Sequence, residues 1–410
     1  MSEITAGKWQ PLGAAAELDT MKRTALTALE KIADSCDPGE HGPSLMHGTA
    51  GVSLALAYAS KVAPESGYDE RAVKLLAATL ERLPGQDVSV GLESVLVGIA
   101  WTLEHLRGWL VEPEDAAPEI EHLRRTLDTS DVRTFPTALL DGAVGIGVLA
   151  LERDDNDGRR LLEAVVRFLA GSAVLCRDGV SWLTGNGRHW WDRRFLLGMA
   201  NGVAGAIALL VRAARKKVEG SQPLLDDAVR WVLAQERTVD GRRRYPSVIF
   251  RELKGENVND SRLAWCDGTL GLALSLLQAA PLMDLARPRQ IALDLARSAA
   301  DLDVSSGGIR VPGFCHGAAG VAQMYARLYH ATGDPGFRSV ARRWLSATLT
   351  MFQRRRTSGA PLQPGLLSGD AGVALVLLAG STAVSPDWDR LFFLSPMPRL
   401  RDRDARSAHG

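Results

Sequence analysis

The chain has 410 residues, with 48 Lys plus Arg against 48 Asp plus Glu, so its formal net charge is zero and nothing in that balance asks for nucleic acid. No run approaches the roughly 20 apolar residues that span a bilayer, and residues 1–11 hold no apolar signal core. Four scattered cysteines, Cys36, Cys176, Cys266 and Cys315, do not make a disulfide scaffold, so a reducing, cytoplasmic setting is expected.

A motif of the form His-Gly-x-Ala-Gly, or a close relative, recurs along the chain and ends at Gly51, Gly98, Gly145, Gly205, Gly271, Gly320 and Gly372. Successive final glycines lie 47, 47, 60, 66, 49 and 52 residues apart. A unit of that length holds two helices and short connections. An amphipathic helix is expected before each copy, over 17–33, 68–83, 114–127, 159–170, 224–235, 288–300 and 335–353, where apolar residues recur at i, i+3, i+4 among charges. Pro288 and Pro335 suit the first turn of such helices. After each copy comes a run that is apolar nearly all round, such as the one starting Gly145-Ile-Gly-Val-Leu-Ala-Leu, and a helix of that kind is buried on most faces. Repetition from the first fifty residues nearly to the end implies one domain over 1–395. The expected fold is all-α, an α/α toroid of seven helical hairpins with seven apolar helices inside and seven amphipathic helices outside. An open α-solenoid is the alternative.

Two repeats are longer. Their surplus, from Arg177-Asp-Gly through Arg194 and from Asp240-Gly through Asp260, reads as short hairpins or loops over the mouth. Trp182, Trp190, Arg193 and Tyr245 are candidate substrate-binding residues there, with plain loop variation as the competing explanation. The chain from Ser381 onward reads as frayed and solvated, with 396–410 a disordered basic tail.

In register, the residue before the first motif glycine, or before Val95 in the degenerate second copy, is His47, Ser94, Asp141, Asn201, Asp267, His316 and Ser368. All are polar ahead of apolar helices and should ring the mouth. Helix N-capping would account for the Ser, Asp and Asn members but not for two histidines. One position earlier stand Met46, Glu93, Leu140, Ala200, Cys266, Cys315 and Leu367. Cysteine occurs only in the fifth and sixth copies, which would be neighbours in a ring. Cys266, Cys315 and His316 should therefore converge. Two thiolates and an imidazole suit Zn2+ and leave one coordination position open, as catalytic sites do. Cys36 and Cys176 read as incidental, and His105, His122, His330 and His409 as solvated. His189 could reach the mouth. No Gly-x-Ser-x-Gly, phosphate-loop, dinucleotide or HExxH pattern is present.

Seven glycine-rich repeats, Trp265-Cys266-Asp267-Gly268 and Cys315-His316-Gly317-Ala318-Ala319-Gly320 resemble the lanthionine cyclases, the LanC-like family, over about residues 40–395. The resemblance implies an α/α toroid with one Zn2+ on Cys266, Cys315 and His316. It implies addition of a peptide cysteine thiol to dehydroalanine or dehydrobutyrine, giving a thioether ring. The implied partners are a dehydrated lanthipeptide precursor, a separate dehydratase and a transporter, which allows peripheral attachment to a membrane-associated complex. Enolate protonation then calls for a general acid. The family usually has histidine in the fourth motif; this chain has Asn201. His47, Asp141, Asp267, His189 and a zinc-bound water are the candidate proton sources, with Asn201 a hydrogen-bond donor to the enolate oxygen. Two other functions compete: a zinc-binding scaffold for the peptide, and another toroid enzyme such as a zinc prenyltransferase or a glycosidase using Asp141 with Asp267.

Overall fold

Helices that are apolar on nearly every face are stable only where other helices surround them. The computed structural model, which describes residues 8–82, 91–112, 120–129, 131, 135–184, 194–239, 241–250, 262–283 and 286–395, places them at the centre. The inner helices are α3 (Thr49–Val62), α5 (Val95–Leu106), α7 (Ala143–Glu152), α9 (Val203–Arg215), α11 (Thr269–Ala279), α13 (Ala318–Thr332) and α15 (Asp370–Ser381). The outer helices are α1 (Leu18–Ser35), α4 (Tyr68–Leu80), α6 (Ile120–Thr129), α8 (Asn156–Ser172), α10 (Ser221–Leu233), α12 (Arg287–Ala300) and α14 (Pro335–Thr357), while α2 (Pro38–His41) is a single turn. Among the described residues no helix is long and apolar enough to cross a membrane.

The ring is closed. Each inner helix packs on the next in chain order, and α15 packs back on α3. An open solenoid would leave those two unpaired. The chain's start latches this closure. Helix α1 packs on α15, Leu12 N and Gly13 N donate to Gly380 O at 2.9 and 2.8 Å, and Trp9 Nε1 donates to Ala379 O at 2.8 Å.

The motif loops form a hoop at the N-terminal ends of the inner helices. Glu93 N donates to Leu140 O, Leu139 N to Ala200 O, Ala200 N to Cys266 O, Cys266 N to Cys315 O, Cys315 N to Leu367 O and Leu367 N to Met46 O, at 2.7–3.3 Å. Glycine ends each motif because the loop folds onto it. A Cβ on Gly320 would sit 1.9 Å from Phe314 O, and one on Gly372 would sit 1.9 Å from Leu366 O.

The insertions form strands, as expected. The Arg177-Asp178 turn joins β1 (Val174–Cys176) to β2 (Gly179–Ser181). Strands β3 (Leu183–Thr184), β4 (Arg194–Leu196) and β7 (Val248–Phe250) pair in the order β3-β4-β7, and β5 (Arg237–Val239) pairs with β6 (Arg242–Arg244).

From 382 to 395 the chain is not frayed. Residues 387–392 form a 3-10 turn, and Trp388, Leu391, Phe392, Phe393 and Leu394 are buried. The reason is a second polar ring. Seven residues after each motif's final glycine stand Tyr58, His105, Glu152, Arg212, Gln278, Arg327 and Ala379. Two turns along the inner helices, Glu152, Arg212, Gln278 and Arg327 of this set bond the closing segment, while His105 bonds Tyr58 and Glu152. Arg327 pairs with Asp389 at 2.7 Å, the two side chains 8% and 0% exposed, and Gln323 adds a bond to the same carboxylate at 2.6 Å. Arg212 Nη2 donates to Ser395 O, and Gln278 Nε2 to Phe393 O, both at 2.8 Å. Arg390 reaches Glu152 at 3.0 Å. Residues 396–410 lie outside the described residues.

Candidate metal centre

The hoop leaves its polar side chains free of capping duty. Gly48, Gly142, Gly202, Gly268, Gly317 and Gly369 occupy the N-cap positions of six inner helices, and no side chain caps them. N-capping holds only for the second copy, where Ser94 Oγ accepts from Val97 N at 3.3 Å. The helices begin one residue later than that reading required. His47, Asp141, Asn201, Asp267, His316 and Ser368 stand outside them, on the loop, and reach solvent.

Cys266, Cys315 and His316 converge: their ligand atoms all lie within 4.8 Å of one another. Cys315 is buried, Cys266 half-buried and His316 exposed, so the group opens to the mouth. The adjacency comes from the hoop, since Trp265 N and Cys266 N both donate to Cys315 O, at 3.1 and 3.3 Å. The donors also fit a divalent cation electrostatically. A hydrogen bond from Cys266 holds Cys315 below the ordinary thiol value, against burial, with His316 adding to the effect. The same hydrogen bond, with burial and the neighbouring charges of Cys315 and Asp267, pushes Cys266 well up. Two adjacent thiols, one of them held toward its thiolate form, suit a divalent cation that binds sulfur as thiolate. Asp267 Oδ1 lies 3.2 Å from Cys266 Sγ and accepts from Arg262 Nε at 2.9 Å.

Across the mouth, His47 Nε2 lies 2.8 Å from Glu93 Oε1, with the two side chains 49% and 44% exposed. Glu93 occupies the second repeat's counterpart of the cysteine position. Its hydrogen bond raises His47 above the usual imidazole value, against partial burial, and the Cys315 charge acts in the same direction. The bond correspondingly lowers Glu93. Asp141 is raised, first by desolvation and also by the Glu93 charge. Asn201 is exposed on the same rim, its backbone oxygen 3.5 Å from Thr184 Oγ1 of the inserted sheet. Two rim loops need glycine: a Cβ on Gly91 (φ +148) or on Gly365 (φ +93) would lie 2.5 Å from the Cα of Asp141 or of His47 respectively.

Other expectations fail. Trp182 is 5% exposed and donates to Leu169 O at 2.9 Å, and Tyr245 is 2% exposed. Both lie in the core, because an indole or phenol on a short hairpin packed against outer helices gains more from burial than from standing in solvent. Trp190, Arg193 and His189 lie outside the described residues, as do His409 and the side chain of His122. His105 is not solvated: its side chain is 4% exposed, bonded to Glu152 Oε1 at 2.8 Å and to Tyr58 OH at 2.9 Å. His330 is half-buried against Trp9, ring centroids 4.1 Å apart, and burial, with the Arg327 charge, lowers its pKa to about 4. Cys36, raised to about 11 by burial and the Asp37 charge, and Cys176, in β1, join no ligand cluster among the described residues. The second polar ring was in the sequence unread; extending the same alignment by seven positions would have found it.

The sequence profile of the family described as "Lanthionine synthetase C-like protein" matches residues 39–393. The chain belongs to this family. Within the family fold, the chain is similar to the structure titled "Nisin cyclase", at TM-score 0.76 and 17% identity over 92% of this chain and 98% of that one. It is more distantly similar to unsaturated glucuronyl hydrolases. The one from Streptococcus agalactiae aligns at TM-score 0.49 and 11% identity, over 93% of this chain and 95% of that one. The one from Bacillus sp. GL1 aligns at 0.47 and 12%, over 87% and 96%. The family match and the 0.76 alignment agree with the closed helical ring; the lower scores carry no functional argument.

Proposed function

We propose that this chain is a zinc-dependent lanthionine cyclase. It would join cysteine thiols of a dehydrated precursor peptide to dehydroalanine or dehydrobutyrine residues, forming (methyl)lanthionine rings. The observation that carries the reading is the convergence of Cys266, Cys315 and His316 at the open mouth of a family-member toroid. Those three residues would hold Zn2+, which when bound lets a peptide thiol act as a thiolate at neutral pH. Arg262 holds Asp267 beside Cys266, where the carboxylate accepts from the Cys266 thiol.

In the reaction the thiolate sulfur bonds to the β-carbon, and the alkene pair moves onto the carbonyl as an enolate. A proton then returns to the α-carbon. Atoms balance, because the thiol proton lost is the carbon-bound proton gained. Of the rim candidates, His47 suits that last step best: it is exposed on the rim, and its hydrogen bond to Glu93 favours the protonated form. Asn201 would donate a hydrogen bond to the enolate oxygen. The chain through residue 395 would act as one domain, in the cytoplasm, beside a separate dehydratase and a transporter.

Asn201, where the family resemblance leads one to expect histidine, favours a second reading as a peptide-holding scaffold subunit. Cyclisation leaves mass unchanged, so alkylation of remaining thiols in a dehydrated peptide separates the two. Loss of alkylatable thiol with zinc-loaded protein supports the cyclase. Peptide retention with every thiol still reactive would leave only the scaffold.

A further inference from the structure

The residues immediately before the two cysteine ligands are Trp265 and Phe314, both fully buried. They rest on one side chain from the far end of the chain. Phe314 stacks on Phe392, with ring centroids 4.2 Å apart and planes at 25°. Trp265 meets Phe392 edge-on at 5.0 Å and 76°, and Trp265 Nε1 donates to Phe392 O at 3.1 Å. Trp265 and Phe314 also touch each other, centroids 5.9 Å apart. Trp388 adds an edge contact to Phe314 at 5.8 Å. The closing segment is itself held by buried polar bonds from Arg212, Gln278, Gln323 and Arg327.

We propose that Phe392 is a positioning residue for the metal centre: the closing segment buttresses both cysteine loops from beneath and thereby sets how tightly the site holds its ion. The physical reason is preorganisation. A cysteine ligand has few rotamers, so the position of its sulfur follows the backbone that carries it. Here that backbone continues directly into a ring wedged against Phe392. Removing the wedge leaves a cavity beneath both loops, and the two sulfurs lose their common support. The inference rests on Cys266, Cys315 and His316 being the metal ligands, and does not depend on the cyclase step.

The test is zinc affinity of the full-length protein, by competition with a chromogenic chelator, together with the absorption spectrum of the Co2+-substituted form. Phe392→Ala is expected to weaken zinc binding about 10- to 100-fold, the range for outer supports of metal ligands, and to alter the thiolate-to-cobalt bands. Phe392→Leu should fall between it and the wild type, and keeps the test alive if the alanine variant does not fold. Leu29→Ala, which empties a buried site on α1, should lower the melting temperature and leave zinc affinity unchanged. Unchanged affinity and spectrum in a folded Phe392 variant would overturn the proposal. So would an equal loss of affinity in Leu29→Ala, which would make the effect general loosening. Wild-type protein that binds no zinc would sink the metal reading itself, a different and recognisable failure.

Discussion

Two histidine–glutamate pairs, each at 2.8 Å and each joining adjacent repeats, stand at opposite ends of the ring. His47–Glu93 lies on the hoop at the helix N-termini and is about half exposed; His105–Glu152 lies two helical turns down and is sealed. The sealed pair has its remaining valences filled inside the protein. His105 also bonds Tyr58, and Glu152 also bonds Arg390. Burial raises Glu152, but His105 and Arg390 outweigh it and hold the carboxyl below its usual range. The open pair faces solvent instead, its side chains 49% and 44% exposed. The same two residue types, at the same separation, are sealed in one place and open to solvent in the other; under the proposed function they would serve cohesion there and chemistry here.

The comparison can be broken at several points. The largest expected effect is at the mouth: Cys315→Ser should reduce bound zinc, measured by metal analysis, from one per chain to none and abolish thiol consumption. Next is the buried end. Arg327→Ala strands the Asp389 carboxylate and should cost about 3–5 kcal/mol in urea unfolding; a loss under about 1 kcal/mol would mean the segment is not held as described. His47→Asn should slow cyclisation roughly 100-fold at unchanged zinc content and nearly unchanged melting temperature, the lower end of the range for general acid catalysis. His105→Asn should do the converse, lowering stability by about 1–3 kcal/mol through unpaired buried partners while the zinc-loaded protein keeps its rate. If the two variants exchange phenotypes, the division by solvent access is wrong.

Smaller effects sharpen the picture. In a His47→Asn background, Asn201→His should recover roughly tenfold in rate if both positions face the α-carbon, a part of what general acid catalysis contributes; no recovery would separate Asn201 from the reacting centre. The pH dependence has a definite sign. His47 is raised, so its contribution to stability is complete below its unfolded value and fades as pH climbs through the raised one. Glu93 is lowered, so its contribution is present above its unfolded value and is lost as pH falls through the lowered one. The pair therefore helps most between those limits, by no more than about 1 kcal/mol at such exposure. The rate should fall on the alkaline limb as His47 loses its proton, and that limb should vanish in His47→Asn.

Much of this molecule could be read from its residues. The expected outer helix at 288–300 is observed as Arg287–Ala300, and that at 335–353 as Pro335–Thr357, because helical periodicity is a short-range property. Cys266 and Cys315 stood out because a repeat makes deviation visible. The burial of Trp182 and Tyr245 is not legible for the opposite reason: an aromatic in an insertion looks the same whether it stands over a mouth or packs inward. The closing segment was misjudged because its polar partners sit on other helices, Asp389 on Arg327 and Ser395 on Arg212, 62 and 183 residues away.

By itself, then, the order of residues determined the repeat, the inner and outer helices and the register that sets two cysteines and a histidine side by side. Each is a matter of spacing within one repeat or between equivalent positions. The tertiary structure alone decided that the ring closes, that Gly48 and its counterparts rather than the polar residues begin the inner helices, and which of two polar rings stays open. It also decided that Phe392 packs against Phe314 and against Trp265, 127 residues away, next to Cys315 and Cys266. Exposure and long-range contact depend on what covers a position, and the covering element can come from anywhere in the chain.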